Sequence, residues 1–234
     1  MDPIIISLKN NYCPYKQIQN FSGKPGIYAI FFTGKTFPLQ GYRPQKNDII
    51  YLGKTESGQA SRDERTHFAS GKTGSSTIRR SLGALLKDQL SLKPIPRNDK
   101  DFDAGRKSFF KFDNPSEEIL TAWMKDNLGL SFYEYDQSPA EIDALETKLI
   151  AETKPLLNID SKNPVNPHAI TIKAARKACA DEANKTMVKK DTFQETNKNQ
   201  ILIVKANPMN SGQNVRKYED IFKNALKLIE KAID

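Results

Sequence analysis

The chain has 234 residues, enough for one domain of about 150 residues with an extension, or for one larger domain. Hydrophobic residues make up 38 % and charged residues 27 %, so a sizeable core can be buried, and no apolar run approaches the roughly 18 residues of a membrane helix. The formal net charge is +8, of which +6 falls after residue 160; a basic balance favours a polyanionic partner, because neutralising phosphates releases counterions.

Met1 to Ser7 is short and lacks a basic leader, so no signal peptide is expected. Cys13 and Cys179 lie far apart, and neither has a spaced partner for zinc or for a redox pair. The expectation is two free thiols in a reducing, cytoplasmic compartment; a disulfide would require the fold to bring them together.

Gly26 to Phe32 reads as a buried strand and Asp48 to Gly53 as its neighbour. Between them Thr33 to Asn47, with Gly34, Pro38, Gly41 and Pro44, is long for a hairpin and predicts an elaborated turn. Ser61-x-x-Glu64 matches a capping box and predicts a short helix to about Ala69. Ser75-Ser76-Thr77 caps a longer helix through Leu90, with Ile78, Leu82, Leu85 and Leu86 as its apolar stripe. Leu92 to Phe112 reads as a loop. Asn114-Pro115-Ser116-Glu117 starts another helix, with Pro115 at its first position.

Leu130 to Tyr135 alternates as a strand does, and Ser138-Pro139-Ala140-Glu141 is a second capping box, opening a helix to about Thr153. The core stripe of that helix is Ile142, Leu145, Leu149 and Ile150. Pro164, Pro167 and three asparagines, Asn158, Asn163 and Asn166, mark a linker. A helix near 169–184, a polar stretch to Asn199, a strand Gln200 to Ala206 and a helix Val215 to Ala232 complete the reading.

One ordered set of residues carries chemistry. Gly26-Ile27-Tyr28 lies on the first strand and Tyr51-Leu52-Gly53 on the second, Arg62 opens the next helix, Glu146 sits on a later one, and Asn158 closes Pro155-Leu156-Leu157-Asn158. This series resembles the GIY-YIG nuclease superfamily over about residues 24 to 160. The segment from Leu145 to Asn158 is similar to the excision-repair branch. Leu52 replaces the usual isoleucine or valine, and the gap from Tyr28 to Tyr51 is longer than usual, which leaves the hairpin's shape open.

The resemblance implies an α+β domain over 1–160, with a small, mainly antiparallel sheet flanked by helices, followed by a basic α/β extension over 161–234. It implies a DNA endonuclease that uses one divalent cation, Mg²⁺ or Mn²⁺, held by Glu146. Tyr28 would position or deprotonate the attacking water, Tyr51 would bond the phosphate or the water network, and Arg62 would offset developing charge. Asn158 would anchor the loop and contact substrate, and Gly53 would let the backbone turn closely beside the site. Strand alternation alone does not put both tyrosines on one surface.

Several assignments stay open on the residues. Arg62 keeps the family distance from Gly53 better than Arg65 does. His67 is similar to a histidine one turn beyond the arginine in restriction-enzyme members, where it acts as a base, but stands one residue too far from Arg62, which favours a simple helix-surface histidine. Lys54 reaches phosphate or is a plain surface lysine. Ser75, Ser76, Arg79 and Arg80, at a helix N-terminus, contact a DNA backbone or form an ordinary cap with a solvated basic face. The extension aids DNA binding, or forms a homodimer through Ile221, Ala225, Leu228 and Ala232. A DNA-binding module that keeps the fold without cutting is the second functional reading.

Overall fold

The computed structural model describes residues 1–45, 47–98 and 108–185. Helix α1 (Pro3–Asn10) starts on Asp2, whose Oδ1 accepts the Ile4 N–H at 2.9 Å. Strands β1 (Cys13–Pro14), β2 (Gly26–Phe32) and β3 (Ile49–Thr55) follow. A π-helix (Ala60–His67) and a 3₁₀ turn (Thr73–Ser75) lead into α2 (Thr77–Leu86). Then come β4 (Pro94–Pro96), β5 (Phe110–Phe112), α3 (Asn114–Asn127), β6 (Leu128–Glu134) and α4 (Pro139–Thr153). Residues 169–185 form α5.

The main sheet is antiparallel with strand order β1-β6-β2-β3, and β4 and β5 form a separate two-stranded ribbon. The apolar sequence of β2 suits its place in the middle, where both faces are covered. Period two sends Ile27, Ala29 and Phe31 into a core shared with Ile5 and Leu8 of α1 and Ile142, Leu149 and Ile150 of α4. Tyr28 and Ile30 join the opposite core, with Ile78 and Leu82 of α2, Leu120 and Met124 of α3, and Ile172 and Cys179 of α5. A Cβ on Gly26 would lie 2.2 Å from the Tyr133 carbonyl oxygen, so only glycine lets β6 close on this end of β2.

The α+β class, the strands β2, β3 and β6, and the capping box of α4 agree with the sequence reading. Other elements differ for identifiable reasons. Ser61 and Glu64 form no capping box; that helix starts on Gln59 without a side-chain cap, and Ser61 lies inside it. Helix α2 stops at Leu86 rather than Leu90. The expected loop 92–112 contains the β4–β5 ribbon. Asp113, not Asn114, caps α3, so Pro115 takes its second position. Helix α1 and strand β1 had no clear sequence signal. The strand expected at 200–206 and the helix at 215–232 lie outside the described residues.

The expected linker is an ordered connection. Strand β3 is the sheet's edge, and the chain after α4 closes it. Leu157 N–H donates to the Ile50 carbonyl at 2.8 Å. The buried Asn158 amide accepts from Leu52 N–H at 2.9 Å and donates to the Leu52 carbonyl at 2.8 Å, standing in for a partner strand. Asn163 donates to the Pro155 and Asn158 carbonyls, and Asn166 to those of Leu156 and Asn158. Helix α5 then buries Ile172, Cys179 and Ala183 in the core. The chain divides into units 1–188 and 189–234, which puts α5 with the first unit rather than with a separate extension.

Both cysteines are free thiols, and burial pushes Cys179 up to about 12. Among the described residues, no helix is long and apolar enough to cross a membrane. Replacing Asn158 by leucine strands two buried backbone groups, each costing about 1–3 kcal/mol. Asn158→Leu is expected to lose about 3 kcal/mol in urea unfolding; a loss near zero would show that water replaces the amide.

Candidate active site

The register of β2 on β3 sets Tyr28 opposite Gly53 and Ile30 opposite Tyr51. Both tyrosines therefore point to one face of the sheet, with ring centroids 6.1 Å apart. Gly53 lies within the strand and makes no turn, which corrects the expectation for it. Its role is room: a Cβ there would stand 2.3 Å from the Tyr28 hydroxyl and 2.4 Å from its ring. The Tyr28 ring lies across the bare backbone of Gly53 and is 1 % exposed; Tyr51 is 8 % exposed.

The third wall is the π-helix. Its i→i−5 bonds, such as Phe68 N–H to the Asp63 carbonyl at 2.9 Å, widen the turn so that residues five apart stack. This wider turn removes the one-residue excess between Arg62 and His67. Arg62 is half-buried and close enough to Tyr28 to act on its charge. His67 is fully buried, and its Nε2 lies 2.7 Å from the Tyr28 Oη. Its Nδ1 lies 2.8 Å from the Ser76 Oγ, which also accepts the Arg79 N–H at 3.2 Å as the cap of α2. His67 is thus no surface histidine.

Burial, then the charges of Arg62 and Arg79, hold His67 well below the usual histidine range, so it is neutral at physiological pH. Two tautomers satisfy its contacts. In one, Nδ1–H donates to Ser76 and Nε2 accepts from Tyr28, leaving an imidazole base on the tyrosine. Burial, then Tyr51 and Asp63, push Tyr28 well above the usual phenol range, with Arg62 opposing. Burial also raises Tyr51.

The basic stretch beyond the π-helix divides. Arg79 is fully buried and ion-paired to Glu117 at 2.6 Å, and Ser76 is buried in its cap. Neither presents anything to a phosphate, which corrects both assignments. Their burial follows from α3, whose Glu117 faces α2, and no local pattern reveals that. Ser75 and Arg65 are exposed, and Arg80 is half-buried. Lys54 is bound in an ion chain, 2.8 Å from Glu56 and 3.2 Å from Asp143.

Glu146 faces the rim, close enough to Tyr51 to act on its charge. One turn earlier on α4, Asp143 joins it. The two carboxylates converge on the Lys162 ammonium, at 2.5 Å from Glu146 and 2.9 Å from Asp143. The oxygens thus already gather round one positive charge. Among the described residues no three His, Cys, Asp or Glu side chains cluster as metal ligands. A single carboxylate with a neighbour fits a hard cation that keeps most of its water, such as Mg²⁺. Lys162 carried no sequence signal, because it approaches Glu146 only through the turn after Asn158.

Asp63 was not foreseen either. It is buried beneath the site with neither oxygen in a hydrogen bond of good geometry, although the nearby Gln59 amide acts on its charge. Burial is the main cause that pushes its carboxyl up to about 8, with Gln59 and Arg62 opposing.

Compared with known protein families, residues 26–178 match the one described as the GIY-YIG catalytic domain. No curated protein and no solved structure gives a significant match.

Two outcomes follow from these charges. Asp63 binds its proton more tightly folded than unfolded, so stability falls as pH rises above the unfolded value of 3.8, and the loss is complete above about 8. Asp63→Asn should therefore raise the Tm at about pH 8 and leave it nearly unchanged at about pH 4; equal shifts at both would count against a neutral acid. With Glu146 as the expected metal ligand, Lys162→Met removes a competing charge and should tighten Mn²⁺ binding to DNA-free protein severalfold. Titration followed by electron paramagnetic resonance tests this, and an unchanged affinity would refute the competition.

Proposed function

The chain belongs to the GIY-YIG catalytic-domain family, and from that premise we propose that it is an endonuclease that hydrolyses DNA phosphodiester bonds with one divalent cation. The observation that carries the reading is the buried Tyr28–His67 pair at 2.7 Å, with Arg62 and Tyr51 on the same face and Glu146 at the rim.

In the free protein Tyr28 keeps its proton, and Arg62 is near enough to act on its charge. A phosphate entering beside Arg62 draws the guanidinium on to its non-bridging oxygens, where it offsets the charge that develops in the transition state. That movement opens the Tyr28 hydroxyl to a water. Tyr28 then takes the water's proton as it passes its own to His67 Nε2, and the hydroxide attacks phosphorus as the bond to the opposite ester oxygen breaks; the departing alkoxide takes a proton from solvent, and His67 returns its proton to solvent through Tyr28. Burial, then the charges of Arg62 and Arg79, keep His67 unprotonated; the phosphate supplies the negative charge that makes the transfer favourable. Proton relay is thereby coupled to substrate binding.

Tyr51 orients the phosphate or the water network. Glu146 would hold Mg²⁺ or Mn²⁺, which would supply Lewis-acid stabilisation of the charge that develops on the phosphate. Asn158 has both ends of its amide engaged by Leu52, so it serves by fixing the turn after α4 against β3.

Nicking of supercoiled plasmid with Mg²⁺ or Mn²⁺ tests the proposal. Tyr28→Phe, His67→Ala and Glu146→Gln should each lower the rate at least about 100-fold, while Glu146→Gln still binds duplex DNA. Variants that cut as fast as the wild type would refute the assigned roles. Binding without cutting under all metal conditions would leave a DNA-binding module.

A further inference from the structure

Beside Tyr51 lies a group of arginines that the reaction above does not use. Arg80 is on α2, Arg97 follows β4, and Arg176 is on α5. The Arg80 and Arg97 guanidiniums flank the Phe109 ring, 5.4 Å and 4.0 Å from its centroid. Arg97 is also tethered by a 3.4 Å bond to the Gly74 carbonyl. The Phe109 ring thus brings Arg80 and Arg97 together, and Arg176 of α5 is near enough to act on the charge of Arg80.

Their neighbours make this convergence unusual. The Arg80 Nε is buried without a hydrogen-bond partner. Among the described residues no carboxylate offsets Arg80 or Arg176; the acidic neighbour common to both is the Tyr51 phenol. Burial, then the charges of Arg176 and Arg97, lower Arg80 to about 10, the mark of like charges held together and partly dehydrated. The adjacent Arg79, by contrast, has Glu117. Arg80 and Arg176 repel each other where no carboxylate of the described residues offsets them, and an anion bound between them relieves the repulsion. Guanidinium forks suit the paired oxygens of a phosphodiester, and the proximity of Tyr51 puts such a group next to the reacting one.

We propose that Arg80 and Arg176, with Arg97 beside them on the Phe109 ring, form a phosphate-binding subsite that grips the DNA strand beside the scissile phosphate. The subsite rests on the nuclease reading for its ligand. It makes the first helix after the expected domain boundary part of the DNA-binding face, and it gives Arg80 the contact that Arg79 cannot make.

The test is binding of a short fluorescein-labelled duplex to the full chain in chelator, by anisotropy, across a salt series. Arg176→Gln and Arg80→Gln should each weaken binding and lower the slope of log affinity against log salt by about one. Neither should lower the Tm of the free protein, because each removes repulsion; a merely structural arginine would lower the Tm and leave the slope unchanged. Unchanged slopes in both variants, with normal binding by the wild type, overturn the subsite and leave the nuclease reading standing. Absence of salt-dependent binding by the wild type overturns both.

Discussion

Arg79 carries its charge into the interior of the domain, and its bonds hold the surrounding elements together. Burial lowers its affinity for the proton, and Glu117 opposes that effect. Every arm of the guanidinium is engaged: Nε with Thr73 Oγ1 at 3.2 Å, Nη1 with the His67 carbonyl at 3.2 Å, and Nη2 with Glu117 Oε2 and the Glu117 carbonyl. Glu117 in turn accepts from Phe112 N–H and Thr73 Oγ1. One ion pair thus joins the end of the π-helix, the 3₁₀ turn, α2, β5 and α3. A buried pair earns its place only when such bonds satisfy it, since desolvation of both charges costs several kcal/mol.

The site inherits its geometry from this clamp. Arg79 fixes the backbone of His67 through the carbonyl, and the cap of α2 fixes the ring through Ser76. The imidazole is left one orientation, with Nε2 on Tyr28. Tyr28 is fixed from the other side by the bare backbone of Gly53. The interior of the site is therefore neutral and rigid, with a phenol, an imidazole and a hydroxyl in series. Charge is kept to the rim, in Arg62, in the Lys162–Glu146–Asp143 group, and in the arginines beside Phe109. A rigid neutral interior with a charged rim suits a substrate that brings its own negative charge, because the field changes only when the phosphate arrives.

The rim also shows how carboxylates can be held together by a lysine. Lys162 gathers the carboxylates of Asp143 and Glu146 at 2.9 and 2.5 Å, where they would otherwise repel. The asparagines Asn158, Asn163 and Asn166 supply the backbone bonds that bring Lys162 there. A stretch that looks like a linker by composition is a structural part of the site, because side-chain amides bonded to main-chain carbonyls give an irregular segment the order that a strand would have.

The sequence by itself determined what local chemistry dictates. It marked β2 by its apolar run, α4 by its capping box, and the residues Tyr28, Tyr51, Arg62, Glu146 and Asn158 by their order. Those signals lie within a few residues or in a pattern shared by a family. Only the tertiary structure decided which side chains reach solvent and which meet. Arg79 and Arg80 are neighbours of the same type, yet one is buried by α3 and the other lies over the Phe109 ring, within the field of Arg176 from α5. His67 lay one residue out for an α-helix, and the π-turn placed it on Tyr28. Asp63 and Lys162 gain their meaning from burial and from a distant turn. Burial and long-range pairing depend on which elements come together, and a linear pattern does not record that.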